Sequence, residues 1–328
     1  MNKKLSWILA LMLVVSLIIP MAVPAMAVSH VTWGDTITAD TTLDGDLTGS
    51  GTALIIGADD ITLDLNGYTL SGNSTGYGVD NTGGFDNVTI KGGTVDGFGQ
   101  GIKARDVSNF VLKNLSFSGD TGGGHGHVID IRNSTDIVIK DVTIVVGAGS
   151  PWWAEAIRLA SIDGVEVINV DVEGGWIGVN FAYDTPGDPP TNGVVKDSTF
   201  TGNGLFGVFI ANSTDATIKD NEITGAGMFG IYVGGEGSDV RNITVKGNEV
   251  SGRGIDGIVL NYGTSNNVVQ RNNVSDSGRY GISLRGDVSN NRVMWNTVSG
   301  SGTDDLHWNG TGTGNTWKGN EYVTSNLP

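Results

Sequence analysis

The chain has 328 residues, with 35 acidic residues against 19 basic ones and a formal net charge of −16. This charge argues against a protein that binds nucleic acid or anionic membranes, because both need basic surfaces. The chain contains no cysteine, which excludes disulfides, thiolate catalysis and cysteine metal sites.

The first 27 residues have the features of a secretory signal peptide. Lys3 and Lys4 precede an apolar run that ends at Ile19, and a small-x-small motif ends at Ala27. The run is short for a membrane span, and no later stretch is long enough to be one. We therefore expect cleavage after Ala27 and a secreted protein, extracellular or periplasmic, without a membrane span. The alternative is that residues 1–27 remain as an anchor.

After the signal peptide, one sequence pattern dominates the chain. Residues 28–60 lack it and are predicted to form an N-terminal cap and an entering strand. Residues 61–328 are predicted to be repeats, with a closing segment from Asp304 onward, because open sheet ends must be protected from edge pairing.

One segment recurs ten times at spacings of 22 to 28 residues, for example as NVTIKGGTVDG from Asn87 and DATIKDNEITG from Asp215. We call the first residue of each copy the anchor. The third residue after the anchor is apolar every time: Ile90, Leu112, Ile139, Val167, Val195, Ile218, Val245, Val269, Val293 and Trp317. The eighth is also apolar every time: Val95, Phe117, Ile144, Val172, Phe200, Ile223, Val250, Val274, Val298 and Tyr322.

These positions lie in short alternating runs bounded by Gly, Asn and Asp, which is a strand pattern. No repeat has a helical period or room for a crossover helix, and a propeller blade would need about forty residues. One winding of a parallel β-helix takes roughly this length, and stacked windings share a core that none can bury alone. Asn tolerates left-handed turns and can hydrogen-bond along a stack, so a ladder is predicted for five Asn that stand six residues after their anchors: Asn221, Asn248, Asn272, Asn296 and Asn320.

The segment WGDTITADTTLDGDLTGSGTALIIGADDITLDLNGYTLSG from Trp33 resembles the opening of the right-handed parallel β-helix proteins of the pectin-lyase-like and NosD-like group. The rest of the mature chain resembles their repeats. The resemblance implies an all-β fold, a single-stranded right-handed parallel β-helix (solenoid) of about ten to eleven coils with N- and C-terminal caps. It also implies extracellular or periplasmic work on polysaccharides by lyases, hydrolases or epimerases, although many members have no known activity.

A second apolar strand follows in each repeat, for example Gly101-Ile102-Lys103-Ala104 and Gly207-Val208-Phe209-Ile210. Charged residues at outward positions of this strand form the candidate catalytic site. His127, Asp130, Glu155 and Arg158 fall on adjacent windings, so their side chains are expected to lie within hydrogen-bonding or ion-pair reach. A His or carboxylate base, with Arg holding a substrate carboxylate, suits β-elimination or epimerisation of a uronic acid. The two carboxylates also suit glycoside hydrolysis. The alternative is a cross-winding salt-bridge ladder without catalysis.

The longest inserts between strands lie beside this cluster: Thr121 to Gly126, Gly147 to Ala154 and Tyr183 to Thr191. Aromatic residues lie on or beside them, and sugar rings can pack on aromatic faces, so a sugar-binding groove is predicted here. Phe209 and Tyr232, farther along the same row, could extend the groove or pack under a loop. The predicted substrate-binding residues are Lys103, His125, Trp152, Trp153, Trp176, Asn180, Tyr183, Asp184, Phe209 and Tyr232.

No motif settles the activity or a cofactor. Gly124-His125-Gly126 resembles an element of polygalacturonases, but the partner motifs of that family are missing. Copper would need more His, Met or Cys, and calcium is the metal that the Asp- and Asn-rich turns would favour. We expect no certain cofactor, a polysaccharide partner and a monomer, with a trimer as the alternative. The two functional hypotheses are a carbohydrate-active protein that binds and cleaves or epimerises a polysaccharide, and a non-catalytic binding or structural β-helix.

Overall fold

The computed structural model describes residues 30–119, 126–147, 153–182, 188–235 and 240–328, without the side chain of Arg253. These ranges contain strands and turns but no helix, and hence no helix able to cross a membrane. Their strands pair in parallel over about eleven turns. This arrangement confirms the predicted parallel β-helix.

We call the sheet that carries Glu155 the site sheet. In the described ranges its strands stack in chain order: Asp35–Ile37, Leu54–Ile56, Tyr77–Asn81, Gln100–Arg105, His127–Val146, Glu155–Glu173, Ile177–Ala182, Phe206–Ile210, Phe229–Val233, Asp256–Leu260, Tyr280–Gly286 and Asp304–Gly310. The strands His127–Val146 and Glu155–Glu173 are long enough to continue through the other two main sheets.

The remaining strands complete the windings. The second sheet contains Thr41–Thr42, Thr62–Asp64, Thr89–Asp96, Val111–Gly119, Thr191–Lys196, Thr217–Lys219, Thr244–Lys246, Val268–Gln270, Arg292–Met294 and Thr316–Lys318. The third contains Leu47–Thr48, Thr69–Ser71, Thr199–Thr201, Glu222–Thr224, Glu249–Arg253, Asn273–Ser277 and Thr297–Ser299. A separate small sheet contains Val240–Arg241, Thr264–Ser265 and Val288–Ser289.

The core is the column of inward apolar residues predicted from the repeat. From Ile90 to Val298, every predicted inward residue is at most 2% exposed. The prediction is wrong for the last copy, where Trp317 is half-buried and Tyr322 is 45% exposed. Thr316–Lys318, the strand of Trp317, is the last described strand of the second sheet. No further winding of the described chain covers its apolar side chains.

The anchors mark a backbone turn. All ten have a positive φ, for example 56° at Asn87 and 59° at Asp215. Asn, Asp and Gly reach this left-handed conformation at the lowest cost, which explains why the repeat has only these residue types there. The anchors therefore locate each turn, and with it the register of the strands that follow.

The predicted asparagine ladder is present. The side-chain amides of Asn221, Asn248 and Asn272 each donate to the Oδ1 atom of the next Asn at 2.9 Å, and Asn296 donates to Asn320 at 3.0 Å. The expectation that these Asn adopt the left-handed turn is wrong, because the residue before each one has the positive φ. A second ladder, in which Asn291 donates to Asn315 at 3.1 Å, did not follow from the repeat pattern.

We expect Asn272→Leu to destabilise the protein by about 2–4 kcal/mol. The substitution removes the Oδ1 atom that accepts from both the backbone N–H and the side-chain amide of Asn248, and it removes the amide that donates to Oδ1 of Asn296. Each buried hydrogen bond lost in this way costs about 1–3 kcal/mol. Urea unfolding of this variant measures the loss, and Asn273→Ala, at an exposed position of the same turn, is the control. Equal midpoints for the two variants would contradict a stabilising role for the ladder.

Candidate functional site

The strand register brings the predicted catalytic residues together. His127 is opposite Glu155, and Asp130 is opposite Arg158, on two adjacent parallel strands of the site sheet. Lys103 is the partner of Asp130 on the preceding winding. The two residues between His127 and Asp130, Val128 and Ile129, are both buried in the core, and the candidate side chains contact one another on the outer side of the sheet.

Glu155 is a buried carboxyl group in the centre of this cluster. Its Oε1 atom accepts a hydrogen bond from the amide of Asn180 at 2.8 Å. Its Oε2 atom lies 3.4 Å from Nδ1 of His127 and 4.0 Å from Nε of Arg158. Burial raises the pKa of Glu155 to about 7 against the opposing effects of Asn180 and Arg158. Glu155 can therefore take up or release a proton near neutral pH.

Asp130 has a different environment. It is 1% exposed, and Arg132 contacts it through Nε at 2.9 Å and Nη2 at 2.8 Å. Burial alone would raise the pKa of Asp130, but the hydrogen bonds and charge of Arg132, with His127 and Arg158 nearby, hold it below its usual value. The side-chain amide of Gln100 also points to Asp130, at 3.4 Å. Asp130 thus stays ionised, and the two carboxyl groups differ in protonation at neutral pH.

The raised pKa of Glu155 has a consequence for stability. A carboxyl group whose pKa is higher in the folded state stabilises the fold while protonated, so this contribution is lost as the pH rises from 4.5 to about 7. We expect a loss of about 3 kcal/mol over this interval, measured as the free energy of unfolding in urea against pH. Glu155→Gln should flatten the profile in this window. An unchanged slope in the variant would contradict the assignment.

Lys103 contacts a residue that the sequence pattern did not indicate. Its Nζ atom donates to the hydroxyl group of Tyr77 at 2.9 Å and lies 4.6 Å from the centre of that ring. Tyr77 precedes the first anchor, and its place in the row is visible only from its pairing with Gln100. Arg132 was also missed, although it lies two residues after Asp130 and so on the same face of the strand.

The predicted aromatic residues lie in different places. Trp153 is 43% exposed and lies beside Gly126, where an added Cβ would be 2.7 Å from Cδ1 of the Trp153 ring. Trp176 is half-buried against the core and lies over Gly204, 3.1 Å from its would-be Cβ. The remaining insert residues of the prediction lie outside the described residues: His125, Trp152, Tyr183 and Asp184.

Phe209 and Tyr232 belong to a group that we call the aromatic cluster, with Phe206 and Phe229. The ring centres are 4.6 to 5.6 Å apart. The cluster lies on the site sheet two and three windings beyond Glu155, at roughly 4.8 Å a winding. It continues the outward row of the sheet but does not touch Glu155 through any contact of the described residues.

Within the described ranges, no group of three or more His, Asp or Glu side chains could hold a metal ion. The calcium alternative therefore has no ligand cluster in this part of the chain.

Comparison with known proteins supports the same fold. The model of the right-handed β-helix region matches residues 189–326, on the solenoid described above. This match and the described strands agree on a right-handed parallel β-helix fold for the chain. A comparison of this β-helix protein with curated proteins found no match.

Three solved structures show the same fold as this β-helix protein. The A-module of mannuronan C-5 epimerase AlgE4 from Azotobacter vinelandii is 13% identical, with a TM-score of 0.61 over 89% of each chain. An alginate lyase from Paenibacillus sp. str. FPU-7 is 17% identical, with a TM-score of 0.55 over 86% of this chain and 93% of that one. PfbA, a surface adhesin of Streptococcus pneumoniae, is 14% identical, with a TM-score of 0.53 over 87% of this chain and 85% of that one.

Proposed function

We propose that this protein is a secreted, carbohydrate-active β-helix protein that binds an extracellular polysaccharide on the site sheet and transfers a proton through Glu155. The observation that carries the proposal is the environment of Glu155, a carboxyl group with a pKa of about 7 beside His127 and Arg158. Perturbed groups that lie next to a charge partner on an outward face are candidates for acid–base catalysis.

The charges of the site favour an acidic sugar as substrate. Although the protein is strongly acidic, the cationic side chains of Lys103, Arg132 and Arg158 lie on three adjacent windings around Glu155. Arg132 is already paired with Asp130, so Lys103 and Arg158 are the groups that can hold a uronate carboxylate and stabilise the negative charge that develops when the neighbouring carbon loses its proton. The names of two similar structures, a mannuronan epimerase and an alginate lyase, support the same substrate class.

The two carboxyl groups favour elimination or epimerisation over hydrolysis. Hydrolysis needs a second carboxyl group that acts as nucleophile or base, and Asp130 is occupied by Arg132 through two hydrogen bonds. In the proposed reaction, Glu155 removes the proton next to the uronate carboxylate. The electron pair then forms a double bond as the glycosidic oxygen leaves, or a proton returns to the opposite face. In elimination, His127 lies beside Glu155 and is placed to give the departing glycosidic oxygen its proton. In epimerisation, the proton that returns to the opposite face would come from solvent.

A polysaccharide screen tests the proposal. Wild-type protein and Glu155→Gln are incubated with polymannuronate, polygalacturonate and a neutral glucan, and products are followed by absorbance of unsaturated uronates and by proton NMR. We expect product from a uronate polymer with the wild type only. If the wild type gives no product and retains no polymer, the proposed function is wrong. Secretion is tested by sequencing the N-terminus of exported protein, which should begin at Val28.

The second candidate is a non-catalytic binding protein at the cell surface. The observation that favours it is the internal pairing of the site, in which Arg132 contacts Asp130 and Asn180 contacts Glu155. The similarity to a pneumococcal surface adhesin is consistent with this role. Full polymer binding by Glu155→Gln and Asp130→Asn, with no turnover by any variant, would favour this candidate over an enzyme.

A further inference from the structure

A surface cavity of about 510 Å³ lies at the edge of the site sheet, four to six windings from Glu155. Its walls include Asn261, Tyr262, Arg285, Asp287, Asn309 and Thr311. The volume lies within the range of about 300–1,000 Å³ typical of small-ligand sites. At roughly 4.8 Å a winding, the cavity is roughly 20 Å or more from Glu155, so it is separate from the proposed catalytic site.

An aromatic ring forms one wall of this cavity. Tyr262 is 52% exposed, and its ring packs on Gly286, whose would-be Cβ lies 2.5 Å from two ring atoms. The backbone N–H group of Tyr262 donates to Oδ1 of Asn261 at 3.0 Å. The amide of Asn261 donates in turn to the hydroxyl group of Tyr232 at 2.8 Å. The backbone of Tyr262 is therefore held in place, while one face of its ring remains open to a ligand.

The polar groups around the ring have unused hydrogen-bonding capacity. Among the described residues, the side chains of Asp287, Asn309 and Thr311 have no hydrogen-bond or ion-pair partner. They provide a carboxylate acceptor, an amide donor and acceptor, and a hydroxyl group. Adjacent hydroxyl groups of a sugar ring act both as donors and as acceptors, so they match this mixed set.

The charges of the cavity differ from those at Glu155. Arg285 enters it from the site sheet but is already paired with the fully buried Asp256, and its guanidinium lies 5.3 Å from the centre of the Tyr280 ring. Asp287 adds a negative charge at the rim. A uronate carboxylate would meet no free cation here and would be repelled by Asp287, whereas an uncharged sugar would not be.

We propose that this cavity is a second saccharide-binding site, which takes an uncharged sugar ring stacked on Tyr262 and hydrogen-bonded to Asp287, Asn309 and Thr311. The ligand class rests on the proposed function, but the site itself is independent of Glu155. A chain held at the cavity would increase the local concentration of neighbouring sugar units at the catalytic site. The polymer that best satisfies both sites contains neutral and uronate units.

The test compares Tyr262→Ala and Asp287→Ala with Tyr322→Ala, which removes another exposed tyrosine that lies outside the cavity. Protein is produced in a host that does not glycosylate asparagine, because Asn309-Gly310-Thr311 is a sequon. Binding of neutral manno-, gluco- and xylo-oligosaccharides is measured by titration calorimetry and NMR. We expect wild type and Tyr322→Ala to bind at least one of these series, and both cavity variants to bind it about tenfold more weakly.

Two outcomes would overturn the proposal. One is that wild-type protein binds none of these oligosaccharides at about 10 mM, and the other is that Tyr262→Ala binds as tightly as Tyr322→Ala. Glu155→Gln should retain this binding in full, and Tyr262→Ala should retain turnover of short uronate oligomers. Failure of the cavity site with turnover intact, or failure of turnover with binding intact, therefore distinguishes this proposal from the proposed function.

Discussion

Glu155→Gln is expected to lower kcat/KM on a uronate polymer by at least about a hundredfold, since positioned acid–base groups contribute roughly 10²- to 10⁴-fold. Glutamine keeps the size of the side chain and can still contact Asn180, but it cannot carry a proton. The wild-type rate should rise with pH through about 7, because the base must be ionised and burial holds the pKa of Glu155 there. The measurement is initial rate against pH for both proteins.

The control for this experiment is Glu166→Gln, an exposed glutamate on the same strand that points away from the site. It should keep both the rate and the pH profile of the wild type. If Glu155→Gln retains more than half of the activity, or loses activity without losing the limb near pH 7, the proton-transfer role is wrong. A loss in both variants would point to a folding defect, which the unfolding midpoint of each variant reports.

Asp256→Ala is expected to destabilise the protein by about 3–5 kcal/mol, the cost of leaving a buried charge without its partner. Asp256 is fully buried although it occupies an outward position of the site sheet. It contacts the guanidinium of Arg285, accepts a hydrogen bond from Arg279 at 3.3 Å, and accepts another from the hydroxyl group of Ser283 at 3.0 Å. The measurement is the free energy of unfolding in urea.

A double substitution that replaces both Asp256 and Arg285 tests whether the loss of stability comes from the unpaired charge or from packing. Asp256→Leu combined with Arg285→Met should recover most of the loss, because apolar residues of similar volume often substitute for a buried ion pair at little cost. Asp287→Ala, at an exposed position without a partner, is the matched control and should change stability by less than about 0.5 kcal/mol. If Asp256→Ala is as stable as Asp287→Ala, the ion pair contributes nothing to the free energy of unfolding.

The repeat in the sequence predicted the fold because it has two independent periods. The alternation within each run identified inward residues such as Ile139 and Val195, and the anchor spacing stated how often the chain returns to the same sheet. The same spacing predicts His127 opposite Glu155, which is the observed register. Register is predictable here since a shift by one residue would turn the whole apolar set outward.

The parts of the site that could not be predicted depend on side-chain direction rather than on register. Arg132 turns toward Asp130 and Lys103 turns toward Tyr77, and either could have pointed to another neighbour. Asp256 occupies an outward position of its strand, yet it is buried because arginine side chains from the next winding cover it. Trp176 packs on Gly204, a contact between windings that no local pattern encodes.

The turns at the anchors make the length of this molecule adjustable. A tandem copy of residues 192–214 would begin and end at anchors with left-handed backbones, Asn192 and Asp215, so the inserted unit should wind without disturbing either flank. Ser198 would stack on its own copy, and its hydroxyl group already accepts a hydrogen bond from the backbone of Val170 on the preceding winding. Such an insertion would move Tyr262 away from Glu155 by roughly 4.8 Å. The number of windings therefore sets the distance between Glu155 and Tyr262, the residues on which the two proposed saccharide sites are centred.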